Sequence, residues 1–185
     1  MSNYFDGFVA DFQTSPYLHR ARAEKEFFER CTRFLEERMF MSKTRAEAVT
    51  KTLMAAMSDT SLHYHTIVHI LSIFDFARMN KIHLSGTQEL AIWFHDSVYE
   101  VGAKNNELRS AELMKALIGD SPVTGRAAEI IVSTAYFDSE EKFDEDIELV
   151  LDLDLCSFSC DRFDVYDVCI EQEFLPRSEE RRVGK

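Results

Sequence analysis

Apolar residues recur three and four positions apart along most of this chain, and no segment shows convincing alternation of apolar and polar positions. The pattern predicts helices joined by short turns. A first long helix is expected from Ser15 to Met41, with Phe27, Phe28, Cys31, Phe34 and Leu35 facing inward. A second is expected from Thr44 to Met57, because Thr44-Arg45-Ala46-Glu47 fits a capping box. The next is expected to start near His63 and carries Ile67, Ile70, Leu71, Phe74 and Ala77 at helical spacing, with His65 and His69 on one stripe. Ser85-Gly86-Thr87-Gln88 caps the following helix, whose run Leu90-Ala91-Ile92-Trp93-Phe94 delivers His95 and Asp96. After a polar connection from Glu100 to Asn106, further helices are expected at Glu107 to Ile118, Val123 to Phe137, Asp144 to Leu155 and Asp161 to Phe174.

Composition agrees with an all-α fold. Six Gly and three Pro leave little room for linkers or repeats, and 185 residues with 45% hydrophobic content suffice for one domain with a real core. That domain is expected to cover 1–176. The last residues, Arg177 to Lys185, resemble the translation of a sequencing adapter joined to a truncated frame, so the tail is set aside and the domain is expected to be cut short. No apolar run approaches the roughly 20 residues that span a bilayer. The opening Met1-Ser2-Asn3-Tyr4-Phe5-Asp6 lacks a basic flank and an apolar signal core, so a cytoplasmic location is expected. Cys31, Cys156, Cys160 and Cys169 lack Cys-x-x-Cys spacing and are expected to pack as reduced thiols.

The net charge of −12 argues against long nucleic acid as a partner and leaves a small phosphate ester compatible, since a bound cation reverses the local field. Nine of the acids lie between Asp138 and Asp154 with one Lys; most fall at a predicted helix start, where the dipole favours them, so they read as a solvated face rather than a calcium site. Asp152 and Asp154 differ, because they alternate with Leu151, Leu153 and Leu155. A buried carboxylate needs a cation, a donor or a proton. The same holds for Asp96 beside His95 at the end of an apolar helix. Imidazole and carboxylate are ligands for a divalent transition metal, so His65, His69, His95, Asp96 and one of Asp152 and Asp154 are the candidate metal-site residues.

Four segments occur in order: Tyr64-His65-Thr66-Ile67-Val68-His69, Ala91-Ile92-Trp93-Phe94-His95-Asp96-Ser97-Val98-Tyr99, Asn106-Glu107-Leu108-Arg109-Ser110-Ala111 and Asp152-Leu153-Asp154-Leu155. Together, over residues 24–175, they resemble the HD superfamily of metal-dependent phosphohydrolases. The resemblance implies a compact helical bundle around a central metal site. It implies metal ligation by His69, His95, Asp96 and Asp154, with Asp152 as the alternative, and Mn, Co, Ni, Mg, Fe or Zn as the ion. His65 is either a further ligand or, as favoured here, a general acid that protonates the leaving oxygen; Asp96 helps orient a metal-activated water. The implied substrate is a small phosphate ester or nucleotide, and a homodimer is a family-level expectation.

Other residues keep two readings. Glu107 either contacts substrate or bound water, or caps a helix. Arg109 has the planar fork suited to phosphate, or pairs with a surface acid. Tyr99 packs around the pocket and offers a phenol to substrate. Where the family often shows Arg before Tyr-His this chain has Leu62, and Tyr136-Phe137 follows Thr134-Ala135 where a His is common, which argues for one metal rather than two. Two rivals stand beside hydrolysis: a non-catalytic ligand-binding or regulatory module, and an iron-dependent HD oxygenase.

Overall fold

The helix Gly86–Phe94 is apolar on nearly every side, and a helix of that kind can be satisfied only in the middle of a bundle. The computed structural model of the chain describes residues 16–59, 61–136, 142–156 and 169–174, and places that helix there. In chain order the elements are α1 (Pro16–Glu37), α2 (Lys43–Ala56), α3 (Ile67–Met79), α4 (Gly86–Phe94), α5 (Asn106–Ile118), α6 (Pro122–Ser133), a 3-10 turn (Thr134–Tyr136) and α7 (Glu145–Asp154). Residues 169–174 are helical as well. Among the described residues there is no strand, and no helix is long and apolar enough to cross a membrane.

Helix α4 packs against α3, α5, α6 and α7, while α1 packs on α2 and α3. Trp93 anchors the join. Its ring meets Phe27 edge-on with centroids 5.0 Å apart, and tilts against Phe34 at 6.3 Å and Phe74 at 4.5 Å, so α1, α3 and α4 share one aromatic cluster. A partly buried polar layer lies beside it: Arg30 of α1 reaches Glu26 and the buried Asp75 of α3, each at 3.1 Å, and covers the Phe74 ring.

The expected helices are present with shifted ends. Helix α1 stops at Glu37 because Phe40 adopts a left-handed backbone (φ 54°) and the Met41 N–H returns to the Leu35 carbonyl at 3.0 Å. The box expected at Thr44 does not form; α2 begins after Ser42, and Thr44 lies inside the first turn. The caps at Ser85–Gln88 and Ser121–Thr124 are complete, and Asp144 caps α7 through the N–H groups of Asp146 and Ile147. Gly119 closes α5 at φ 101°, where a side chain would be strained, and Arg45 of α2 donates to the last carbonyls of that helix, Leu117 and Ile118. Cys31 and Cys156 are buried, and Cys31, Cys156 and Cys169 form no disulfide among the described residues. Burial pushes the Cys31 thiol up to about 12, which removes thiolate reactivity. Ser15, Phe137, Cys160, the 161–168 part of the helix expected from Asp161 to Phe174 and the tail from Arg177 to Lys185 lie outside the described residues.

Candidate metal centre

Three helix ends meet at one point. His69 is the third residue of α3, His95 caps the C-terminus of α4 with Asp96 following it, and Asp154 is the last residue of α7. The C-termini of α4 and α7 bring the negative ends of two helix dipoles to the same place, which favours a cation. One donor atom from each of the four side chains lies within 4.8 Å of the others. His69 Nε2 is 2.8 Å and His95 Nε2 3.2 Å from Asp154 Oδ1, the two Nε2 atoms are 3.3 Å apart, and Asp96 Oδ2 is 3.1 Å from His95 Nε2 and 3.7 Å from His69 Nε2. His69 and His95 are buried.

The hydrogen bonding makes this arrangement chemically specific. His95 Nδ1–H donates to the Ile92 carbonyl at 3.0 Å, so a neutral His95 turns the lone pair of Nε2 toward two carboxylates that can only accept. That is repulsive unless a proton or a metal lies between them. Burial would push His95 down, but Asp96 and Asp154 override it and hold the ring well above its usual 6.5. Burial likewise opposes ionisation of Asp96 and Asp154, yet His95 leads the groups that lower both. Four converging ligand atoms, of which one imidazole is already fixed by a backbone acceptor, fit a divalent ion well. His69 is less prepared: its Nδ1 is buried without a hydrogen-bond partner among the described residues.

Of the two aspartates, α7 brings Asp154 into the cluster. Asp152 is two positions from Asp154 on α7, turned to the exposed side, and takes no place in the cluster.

His65 departs from expectation. It does not share a helical stripe with His69, because α3 begins only at Ile67 behind the N-cap Thr66. Tertiary contacts hold it instead. Its ring stacks on Tyr99 at 3.5 Å with 14° between planes, and Nδ1 bonds the Glu173 carboxylate. The other Glu173 oxygen accepts from the backbone N–H groups of His63 (2.9 Å), Tyr64 (2.8 Å) and His65 (3.2 Å). Burial would lower His65 and raise Glu173, but Asp96 and the mutual bond raise His65, and the bond from His65 lowers Glu173. Sequence reasoning missed Glu173. It stands in the polar run Glu171-Gln172-Glu173, 108 residues from its partner.

Around α5 the residues singled out in the sequence lie beside others that hold the structure. Glu107 is half-buried in the first turn and joins no metal cluster among the described residues. Arg109 pairs with Glu100 at 3.3 Å near the surface. The gripping residues are their neighbours: Asn106 exchanges two 3.0 Å bonds with the backbone of Glu100, and the buried Ser110 bonds both backbone groups of Val98. The two sit four apart on one face with Ala111 and Met114, a pattern visible in the sequence. Together they brace the loop that leaves Asp96. A cavity of about 450 Å³ opens beside that loop, lined among others by Ser97, Tyr99, Glu100 and Arg109. Ser97 Oγ is buried with no hydrogen-bond partner among the described residues.

Comparison with protein-family models, with curated proteins and with solved structures finds no match to the chain.

Proposed function

We propose that this chain is a metal-dependent phosphohydrolase of the HD type, acting on a small phosphate ester of which a nucleotide is the first candidate. The observation that carries the proposal is the convergence of His69, His95, Asp96 and Asp154 within 4.8 Å, in the order His, His-Asp, Asp that the sequence resemblance led us to expect. A divalent ion, when bound, would supply Lewis acidity that acidifies water and offsets charge on phosphoryl oxygens. His69, His95 and Asp154 would hold the ion, and Asp96 would also orient the attacking water. His65, with Nδ1 committed to Glu173, has Nε2 left to protonate the departing oxygen. Tyr99 fixes the plane of that imidazole, while Arg109, which lines the cavity beside the loop after Asp96, offers donors to substrate.

The test is phosphate release by the full chain from a panel of nucleotides with Mn²⁺, Co²⁺, Ni²⁺, Mg²⁺, Fe²⁺ or Zn²⁺, beside a His95→Ala/Asp96→Ala control. Metal-dependent release that the control lacks is the expected result. No release from a folded, metal-loaded protein would overturn the proposal, and a tightly held pair of irons in that sample would point to oxygenase chemistry instead.

A further inference from the structure

Glu173 has a bonding pattern that simple core stabilisation does not require. Its side chain is almost wholly buried, and it satisfies the carboxylate with three successive backbone N–H groups and one imidazole. We propose that Glu173 is a positioning residue for His65: it fixes the Nδ1–H tautomer and aims Nε2 toward the reacting phosphate ester, so that the helical segment 169–174 completes the site.

The geometry supports this in two ways. The three N–H bonds lock the turn at residues 63–65 just ahead of α3, so the backbone that carries His65 cannot swing. The ring itself is then held on two sides, by the carboxylate at Nδ1 and by the Tyr99 face. An ionised carboxylate can only accept, so Nδ1 must donate and the second proton of an imidazolium must sit on Nε2. Transfer of that proton to the leaving oxygen, as the P–O bond breaks, returns a neutral ring whose Nδ1–H bond to Glu173 is intact. The catalytic use of this device rests on the hydrolase proposed above; the tautomer does not.

Glu173→Gln separates the two roles of the side chain. The amide oxygen still accepts the three N–H bonds, but the amide NH₂ now donates to Nδ1 and forces the proton onto Nε2, leaving a ring that no longer works as an imidazolium acid. The experiment combines ring ¹⁵N NMR of His65 in its neutral form with steady-state kinetics of wild type, Glu173→Gln, His65→Asn and the double variant. Expected are an Nδ1–H tautomer in wild type and Nε2–H in Glu173→Gln, at unchanged helicity and Mn²⁺ binding. The kcat for a nucleoside monophosphate should fall about 10- to 100-fold at similar KM, the usual cost of losing such an orienting partner. p-Nitrophenyl phosphate, whose leaving group needs no acid, should lose little, and Glu173→Gln should add nothing in the His65→Asn background.

An Nε2–H tautomer in wild type overturns the proposal with no variant needed. So does an equal loss on both substrates, or a full further loss in the His65→Asn background. If wild type releases no phosphate from any substrate, the hydrolase reading fails, while the tautomers of wild type and variant still decide whether Glu173 sets the ring.

Discussion

Asp154 and Asp152 make the sharpest contrast at the scale of single residues. Asp154→Asn removes the charge of a carboxylate whose Oδ1 lies 2.8 Å from one imidazole nitrogen and 3.2 Å from another, whereas Asp152 is exposed on the same helix. With Mn²⁺ at about 100 times its dissociation constant, a specific site stabilises the fold by about 2.7 kcal/mol. Thermal melts should show that gain in wild type and Asp152→Asn and lose it in Asp154→Asn. The cluster also sets a pH dependence. In the metal-free protein His95 titrates well above its usual 6.5, so its proton adds stability that is complete below that value and lost as the pH rises through the raised pKa. Metal must displace that proton, and binding should tighten with rising pH and release protons, a result read by titration calorimetry in buffers of different ionisation enthalpy. The residues of the cluster stood out in the sequence because charge and imidazole sat within apolar runs. Glu173 was not, because Glu171-Gln172-Glu173 looks like any solvated helix face.

Among the elements, α5 holds the neighbouring loop through side chains that the sequence did not single out. The two residues singled out there, Glu107 and Arg109, have conspicuous chemistry; Asn106 and Ser110 make the bonds to the loop backbone. Ser110→Ala leaves the Val98 N–H without its 3.0 Å acceptor in a part-buried place, and should cost about 1–3 kcal/mol in urea unfolding. Leu108→Ala on the exposed side should stay within about 0.5 kcal/mol. The caps were legible because their signal is local. Ser85-Gly86-Thr87-Gln88 forms its box, but Thr44-Arg45-Ala46-Glu47 does not, since the turn after Phe40 starts α2 at Lys43.

Across the whole molecule, stability and site geometry are linked through contacts between distant parts of the chain. Trp93→Ala would empty the space where α1, α3 and α4 meet, at about 3–5 kcal/mol by denaturant unfolding. The His65–Glu173 bond ties the turn before α3 to the last described helix. Glu173 falls below its usual 4.5, so its contribution is present above that value and lost as the pH drops through the lowered pKa; His65 rises above its usual 6.5, so its contribution is present below that value and lost as the pH climbs through the raised one. In chelator, the stability difference between wild type and Glu173→Gln should therefore be largest between pH 4.5 and 6.5 and narrow on both sides, as urea midpoints across pH would show.

The sequence by itself determined the helical class, most of the helices and three of the residues that converge on the candidate metal centre, with the fourth narrowed to Asp152 or Asp154. Periodicity and residue type are local properties, and a charged group inside an apolar run declares its need for a partner wherever the chain carries it. Only the tertiary structure decided where His65 sits, that Asp154 rather than Asp152 faces the imidazoles, that Asn106 and Ser110 hold the loop, and that Glu173 reaches across 108 residues to His65. Those outcomes depend on which helix ends meet, and that is set by packing the apolar faces of all the helices at once.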